Sequence, residues 1–342
     1  MTDFLQITIS STATVATLML CAAVGYFLRK YDVVPRQFSV IISKLVFYVF
    51  LPCMLFTKTA AYITPARISG IWIFPASFLL FMFLGLGLSY LTVKIFKTNR
   101  DFVRPVIAST TFHNSGYLPI SLMVTACEVF PVLRNDPAAE RESITFISAY
   151  LLTSTTLLWT LGFAIISGRN HRTFDWKKVV TPPIIGLVAG TAIGLVPTMS
   201  KVQVHGSGLL FPLFGAADLL ARGVIPCVLL LVGAGLANLP KVGGICKKTV
   251  ISAIAIRLII IPAFALVYIY YLRQWGIMEM ALLPSLVLAV EACMPPANNL
   301  IVMASLTDQK AESGLAILMF WSYLASIVTI TLVVSTAVYL FG

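Results

Sequence analysis

The sequence predicts an all-α polytopic membrane protein of ten transmembrane helices, built as two inverted five-helix repeats with proline-broken crossing helices 4 and 9. Three observations lead there: the composition, ten apolar runs, and a proline spacing that recurs in both halves. Of 342 residues, 59% are hydrophobic and 11% are Asp, Glu, Lys or Arg, against roughly 45–50% and 25% in a soluble domain. One water-soluble core cannot hide that much apolar surface, so lipid is the solvent. The 24 Lys and Arg against 13 acidic residues, a formal +11, fit basic cytoplasmic loops facing anionic lipid. No basic patch is interleaved with aromatics, so nucleic acid is not expected as a partner. The six cysteines are scattered without a CxxC pair. They read as small core residues, not as a disulfide frame or a metal site, and no cofactor is expected. Met1 to Gln6 carry no basic residue, and the apolar run after them is long enough to span, which speaks against a signal peptide.

A bilayer core about 30 Å thick takes about 20 apolar residues per helix. Runs of that kind lie near 6–28, 39–61, 68–93, 105–127, 144–167, 179–197, 212–236, 249–271, 280–306 and 313–340. The connections are short, leaving no room for a soluble domain. The whole chain, 1–342, therefore reads as one membrane domain, with repeat 1 about 1–167 and repeat 2 about 179–342. Orientation follows from the loop cations. Fifteen Lys and Arg fall on one side; six fall on the other, namely Lys58, Arg67, Arg134, Arg141, Lys201 and Arg273. This bias puts the odd-numbered loops in the cytoplasm and both termini outside it. Lys44, Arg222 and Arg257 sit within spans.

The repeat shows in FLPCMLF around Pro52 and VIPCVLL around Pro226. A proline deep in a span recurs 67 residues later at Pro119 and 69 residues later at Pro295. Five is odd, so the second copy enters the bilayer upside down. A proline inside a helix removes one hydrogen bond and clashes with the carbonyl a turn earlier, so helices 4 and 9 should open near Pro119 and near Pro295 and Pro296. In hydrocarbon, freed backbone groups persist only where protein, water or a ligand satisfies them. A matched pair of broken helices is thus the best sequence pointer to a transport site. The substrate-binding candidates are Asn114, Ser115, Pro119, Pro295, Pro296, Asn298 and Asn299. A simple kink with asparagines joining neighbouring helices would account for either segment alone; the matched pair favours the site.

KLVFYVFLP at 44–52, HNSGYLP at 113–119, IPCVLLLVGAGL at 225–236, MPPANN at 294–299 and FWSYLASIVTITL at 320–332 together resemble the auxin efflux carrier family. The likeness is to its PIN-LIKES branch and to related prokaryotic carriers, and covers nearly the whole chain. The resemblance implies a ten-helix secondary transporter working by alternating access. Its scaffold and transport parts would move against each other, with the substrate at the crossed helices 4 and 9. It also implies an inner (plasma) membrane location for a prokaryotic member and the endoplasmic reticulum membrane for a eukaryotic one. Two positions depart from the branch: His113 stands where a glycine is usual, and Tyr117 where a second asparagine is.

Among ionisable groups inside the spans, Glu291 lies one turn before Pro295. A carboxylate at that depth costs a few kcal/mol, so a coupling role is its first hypothesis; a structural salt bridge or a permanently protonated carboxyl is the alternative. His113 can share the task, since imidazole titrates near neutral pH, although a lone helix histidine is more often a hydrogen-bonded packing residue, and that reading is preferred. Arg257 is a candidate counter-ion for an organic anion or for Glu291. Lys44 and Asp218 lie eight residues before Pro52 and Pro226 and could pair, although Asp218 with Arg222 at i, i+4 is the simpler partner. The expected function is secondary active transport of a small organic anion, an auxin-like indole carboxylate or a dicarboxylate, with a proton or sodium as coupling ion and a homodimer open as an assembly. The rival is a sodium- or proton-coupled carrier of the bile-acid symporter or antiporter type. A channel or an intramembrane enzyme ranks behind both: there is no HExxH and no GxGD, so the chain is not expected to be an enzyme.

Overall fold

The computed structural model describes residues 2–35, 37–62, 70–168, 182–196, 211–237, 245–277, 281–305 and 309–342. These are helical throughout, with no β-strand among them. In chain order we label α1 (Thr2–Lys30), α2 (38–62), α3 (Ile73–Ile95), α4 (Arg100–Thr111), α5 (Tyr117–Val129), α6 (Ala139–Ser167), α7 (Pro182–Gly194), α8 (Phe211–Ala221), α9 (Val224–Leu236), α10 (Lys247–Gln274), α11 (Leu282–Ala292), α12 (Asn299–Ser305) and α13 (Gln309–Phe341). Among the described residues six stretches are long and apolar enough to cross a bilayer: Ile41–Ala60, Ile73–Ile95, Ala139–Ser167, Phe211–Leu231, Lys247–Gln274 and Ala311–Phe341. Leu118–Val129, Pro182–Gly194 and Leu282–Ala292 are apolar but shorter. Several basic loop residues used for orientation, among them those at 169–178, lie outside the described residues.

Prolines account for most irregularities. Each lacks an N–H and presses on the carbonyl four residues back, so the turn before it must adjust. The residue four before Pro52 is Tyr48, inside the π-turn Val46–Phe50 of α2. For Pro262 it is Leu258, inside the π-turn Ile256–Ile260 of α10. For Pro226 it is Arg222, in the two-residue turn that separates α8 from α9. A third π-turn, Leu158–Gly162 in α6, has no proline behind it, and two interruptions are wider. Between α4 and α5 the chain leaves the helix at 112–116, and between α11 and α12 it does so at 293–298.

Tight packing of α1 on α9 and of α2 on α7 relies on missing side chains. A Cβ at Gly233 would strike the backbone of Ala22, and one at Gly186 the backbone of Pro52. Gly186→Val should therefore push α7 off α2 and cost about 1–3 kcal/mol. A lower unfolding temperature in detergent would show this, and an unchanged one would contradict it.

The ion pairs correct one expectation. Asp218 pairs with Arg222 at 3.2 Å and lies 3.9 Å from Lys58, which in turn meets Glu140 of α6 at 3.0 Å. Lys44 is exposed instead. Phe56 lies against Phe214, and Phe50 lies beside Gly223, so α2 and α8 run antiparallel. Equal offsets before Pro52 and Pro226 thus put Lys44 and Asp218 at opposite ends of the pair, not at one depth.

Candidate functional site

The two wide interruptions cross and pair with each other. The Asn114 N–H donates to the Pro295 carbonyl at 2.8 Å, and the Ala297 N–H donates to the Phe112 carbonyl at 3.1 Å. His113 and Pro296 face each other in this short antiparallel bridge. Pro295 and Pro296 offer only carbonyls, so Asn114 and Ala297 supply the donors. Backbone that a helix would otherwise satisfy is thus satisfied between the segments, as non-helical chain at membrane depth requires.

Tyr323 of α13 joins the same two segments through side chains. Its hydroxyl accepts from Asn114 Nδ2 at 3.2 Å and donates to Asn298 Oδ1 at 2.9 Å, with the Pro296 carbonyl also at 3.2 Å. On the other flank Ser115 Oγ shares a 2.5 Å hydrogen bond with Ser154 Oγ of α6. A small cleft of about 50 Å³ opens between these segments, α2, α6 and α7. Asn114, Ser115, Gly116, Asn298 and Asn299 form its polar wall, facing Phe47, Leu51, Leu158 and Pro183.

Of the sequence candidates, Asn114, Ser115, Asn298 and Asn299 line this cleft, and His113 reaches its inner edge. The three prolines do not line it. Pro119 sits in the first turn of α5, where a missing N–H costs nothing because helix-start donors have no intrahelical acceptor. The carbonyl it would strike belongs to Ser115, inside the break. Pro295 and Pro296 shape the second break from within.

Behind the cleft lies a buried polar cluster. The His113 and Glu291 side chains are both at 0% exposure, with Nε2 and Oε2 3.6 Å apart. His113 Nε2 also lies 3.0 Å from the Tyr150 hydroxyl of α6, and Phe78 packs edge-on against the Tyr150 ring. Among the described residues, His113 Nδ1 and both carboxyl oxygens of Glu291 have no hydrogen-bond partner. A buried polar atom left bare is costly, so this cluster is not ordinary core.

Arg257 takes backbone carbonyls as its hydrogen-bond partners. It is 1% exposed and rises from the π-turn of α10 towards the end of α11. Its Nε donates to the Met294 carbonyl at 2.9 Å, and its Nη2 to the Ala292 carbonyl at 2.7 Å and, more weakly, the Glu291 carbonyl at 3.4 Å. In a continuous helix the N–H groups of residues 295 and 296 would serve the carbonyls of Glu291 and Ala292; both residues are proline. The guanidinium supplies the donors that the two prolines lack. It faces carbonyls and lies away from the cleft wall.

Sequence reasoning missed Tyr323, Tyr150 and Ser154 as members of this arrangement. Tyr323 lies in the FWSYLASIVTITL segment, but neither its spacing nor its neighbours mark it. Only the packing of α13 and α6 on the two breaks brings these hydroxyls in.

The chain is similar to several curated proteins. It is 22% identical to Protein PIN-LIKES 1 of Arabidopsis thaliana over 371 residues, covering 96% of this chain and 78% of that protein. It is also 22% identical to Protein PIN-LIKES 5 of the same plant, covering 93% and 94%. An uncharacterized transporter of Saccharomyces cerevisiae is 28% identical over 160 residues, 44% of this chain and 36% of that one. The family described as membrane transport protein matches residues 10–334. A multi-pass helical chain matched over that length belongs to this family of transporters, the auxin efflux carriers, and is a membrane transporter and not an enzyme.

Proposed function

We propose that the protein is a secondary carrier that moves a small organic anion by alternating access, binding it at the paired breaks. One observation carries this reading: Asn114 and Asn298, 184 positions apart in the chain, share the Tyr323 hydroxyl beside a cleft. Uncharged amides, the Ser115 hydroxyl and the start of α5 at Gly116 suit a carboxylate, because a helix start carries partial positive charge. The apolar wall of Phe47, Leu51 and Leu158 suits an aromatic or aliphatic body. An indole carboxylate and a dicarboxylate are the two substrate classes of choice.

The inverted-repeat reading is supported by packing. α1 lies on α9 as α7 lies on α2, and exchanging the halves exchanges these two pairs. The cleft of about 50 Å³ has room for a carboxylate head but not for an indole ring. The part formed by α2 and α7 must therefore move against the breaks for a larger body to enter. Glu291 and His113, buried behind the site without full hydrogen bonding, are the proposed carriers of a coupling proton.

Uptake of labelled indole-3-acetate and of labelled malate into proteoliposomes tests the reading. Saturable uptake of one of them, above protein-free vesicles and with counterflow, is expected. Continuous single-channel currents, or transport of amines only, would contradict it.

A further inference from the structure

In carriers built on broken helices, unwound carbonyls and half-helix C-terminal ends are where a coupling cation is held, and partial negative charge collects there. The end of α11 is such a place: the carbonyls of Glu291, Ala292 and Met294 converge beside a carboxylate whose two oxygens have no hydrogen-bond partner among the described residues. All these residues are buried. A cation is already there, because the Arg257 guanidinium donates to all three carbonyls.

We propose that Arg257 is a resident cation at the end of α11, occupying the carbonyls a coupling sodium ion would need, so that the protein has no sodium site there and transports independently of sodium. The consequence for transport rests on the carrier reading above; the statement about ion binding does not. The geometry favours it, with only Nη1 of the guanidinium left without a hydrogen-bond partner among the described residues. Proline at 295 and 296 leaves acceptors without backbone donors, and an arginine side chain, permanently charged and forked, serves several acceptors at once. A sodium ion entering the same shell would meet three carbonyls already engaged and a fixed positive charge within contact distance, a repulsion that low surrounding polarity strengthens.

Binding of radioactive sodium to the purified full-length protein in detergent tests this, read alongside thermal unfolding in sodium chloride and in N-methylglucamine chloride at equal ionic strength. Wild type is expected to show no saturable sodium binding up to ~0.1 M, a roughly physiological ionic strength, and the same unfolding temperature in both salts. Arg257→Gln frees the carbonyls and removes the charge. If it elutes as a folded monodisperse protein, it should gain about one sodium per chain and unfold at a higher temperature in sodium than in N-methylglucamine. Should that variant not fold, the wild-type arm decides alone. Saturable sodium binding by wild type, or a folded Arg257→Gln as indifferent to sodium as wild type, would overturn the assignment. Since the readout is ion binding, a chain that moved neither indole-3-acetate nor malate would defeat the carrier reading and leave this result standing.

Discussion

Glu291→Gln should abolish gradient-driven accumulation while leaving exchange of substrate across the membrane largely intact. Glutamine keeps the shape and a hydrogen-bonding head but cannot take up or release a proton. Its carboxylate counterpart is fully buried, 3.6 Å from His113 Nε2, with neither oxygen hydrogen-bonded among the described residues, so no structural salt bridge of good geometry is lost with the charge. One pH unit corresponds to about 1.4 kcal/mol per proton, hence about a tenfold accumulation ratio for electroneutral entry of an anion with one proton. In proteoliposomes with a one-unit inward proton gradient, wild type should approach that ratio above protein-free vesicles, and Glu291→Gln should stay near unity. Protein-free vesicles set the background because a neutral organic acid crosses lipid unaided. A variant that accumulates substrate as wild type does would remove Glu291 from coupling and leave it a structural group.

The all-helical class of the chain was legible in the sequence because its causes are local. Apolar run length identifies a span, and a proline disturbs the turn just before it, as Pro52, Pro226 and Pro262 all do. Asn114 and Asn298 stood out because they flank such prolines. What lay beyond reach were contacts set by packing between distant elements. The Tyr323 bridge spans 209 positions to Asn114, and nothing near Tyr323 in the chain announces it. The hydrogen-bond partners of Arg257 were hidden for a more instructive reason. A buried arginine invites a search for a carboxylate, yet the nearest acceptors in need were backbone carbonyls that Pro295 and Pro296 had left without donors. Lys44 and Asp218 failed through geometry: equal sequence offsets in helices of opposite direction mean opposite ends.

Asn114 and Asn298 carry the second large expectation. Each side chain reaches the Tyr323 hydroxyl and lines the cleft, so each is placed to turn one polar group towards an incoming carboxylate while the tyrosine fixes its rotamer. Removing a neutral amide that hydrogen-bonds a ligand costs about 0.5–1.5 kcal/mol, and up to about 3 kcal/mol when the ligand atom is charged. Asn114→Ala and Asn298→Ala should each weaken apparent affinity by between about twofold and a hundredfold on that scale. Because the two share one hydroxyl, the double variant should fall short of the sum of the singles, as residues in one network do. Tyr323→Phe keeps the ring and removes the bridge, and should lower affinity with little change in the amount of folded protein.

The claim at the centre of this account is that the crossed breaks are the substrate site, and apparent affinity across this set of variants tests it most directly. Concentration-dependent uptake of the transported anion should be measured in proteoliposomes for wild type, Asn114→Ala, Asn298→Ala and the double variant, each checked for folding. The account predicts weaker apparent affinity in both singles and a double variant less impaired than additivity requires. Folded single variants that transport with wild-type apparent affinity would place the substrate elsewhere in the protein.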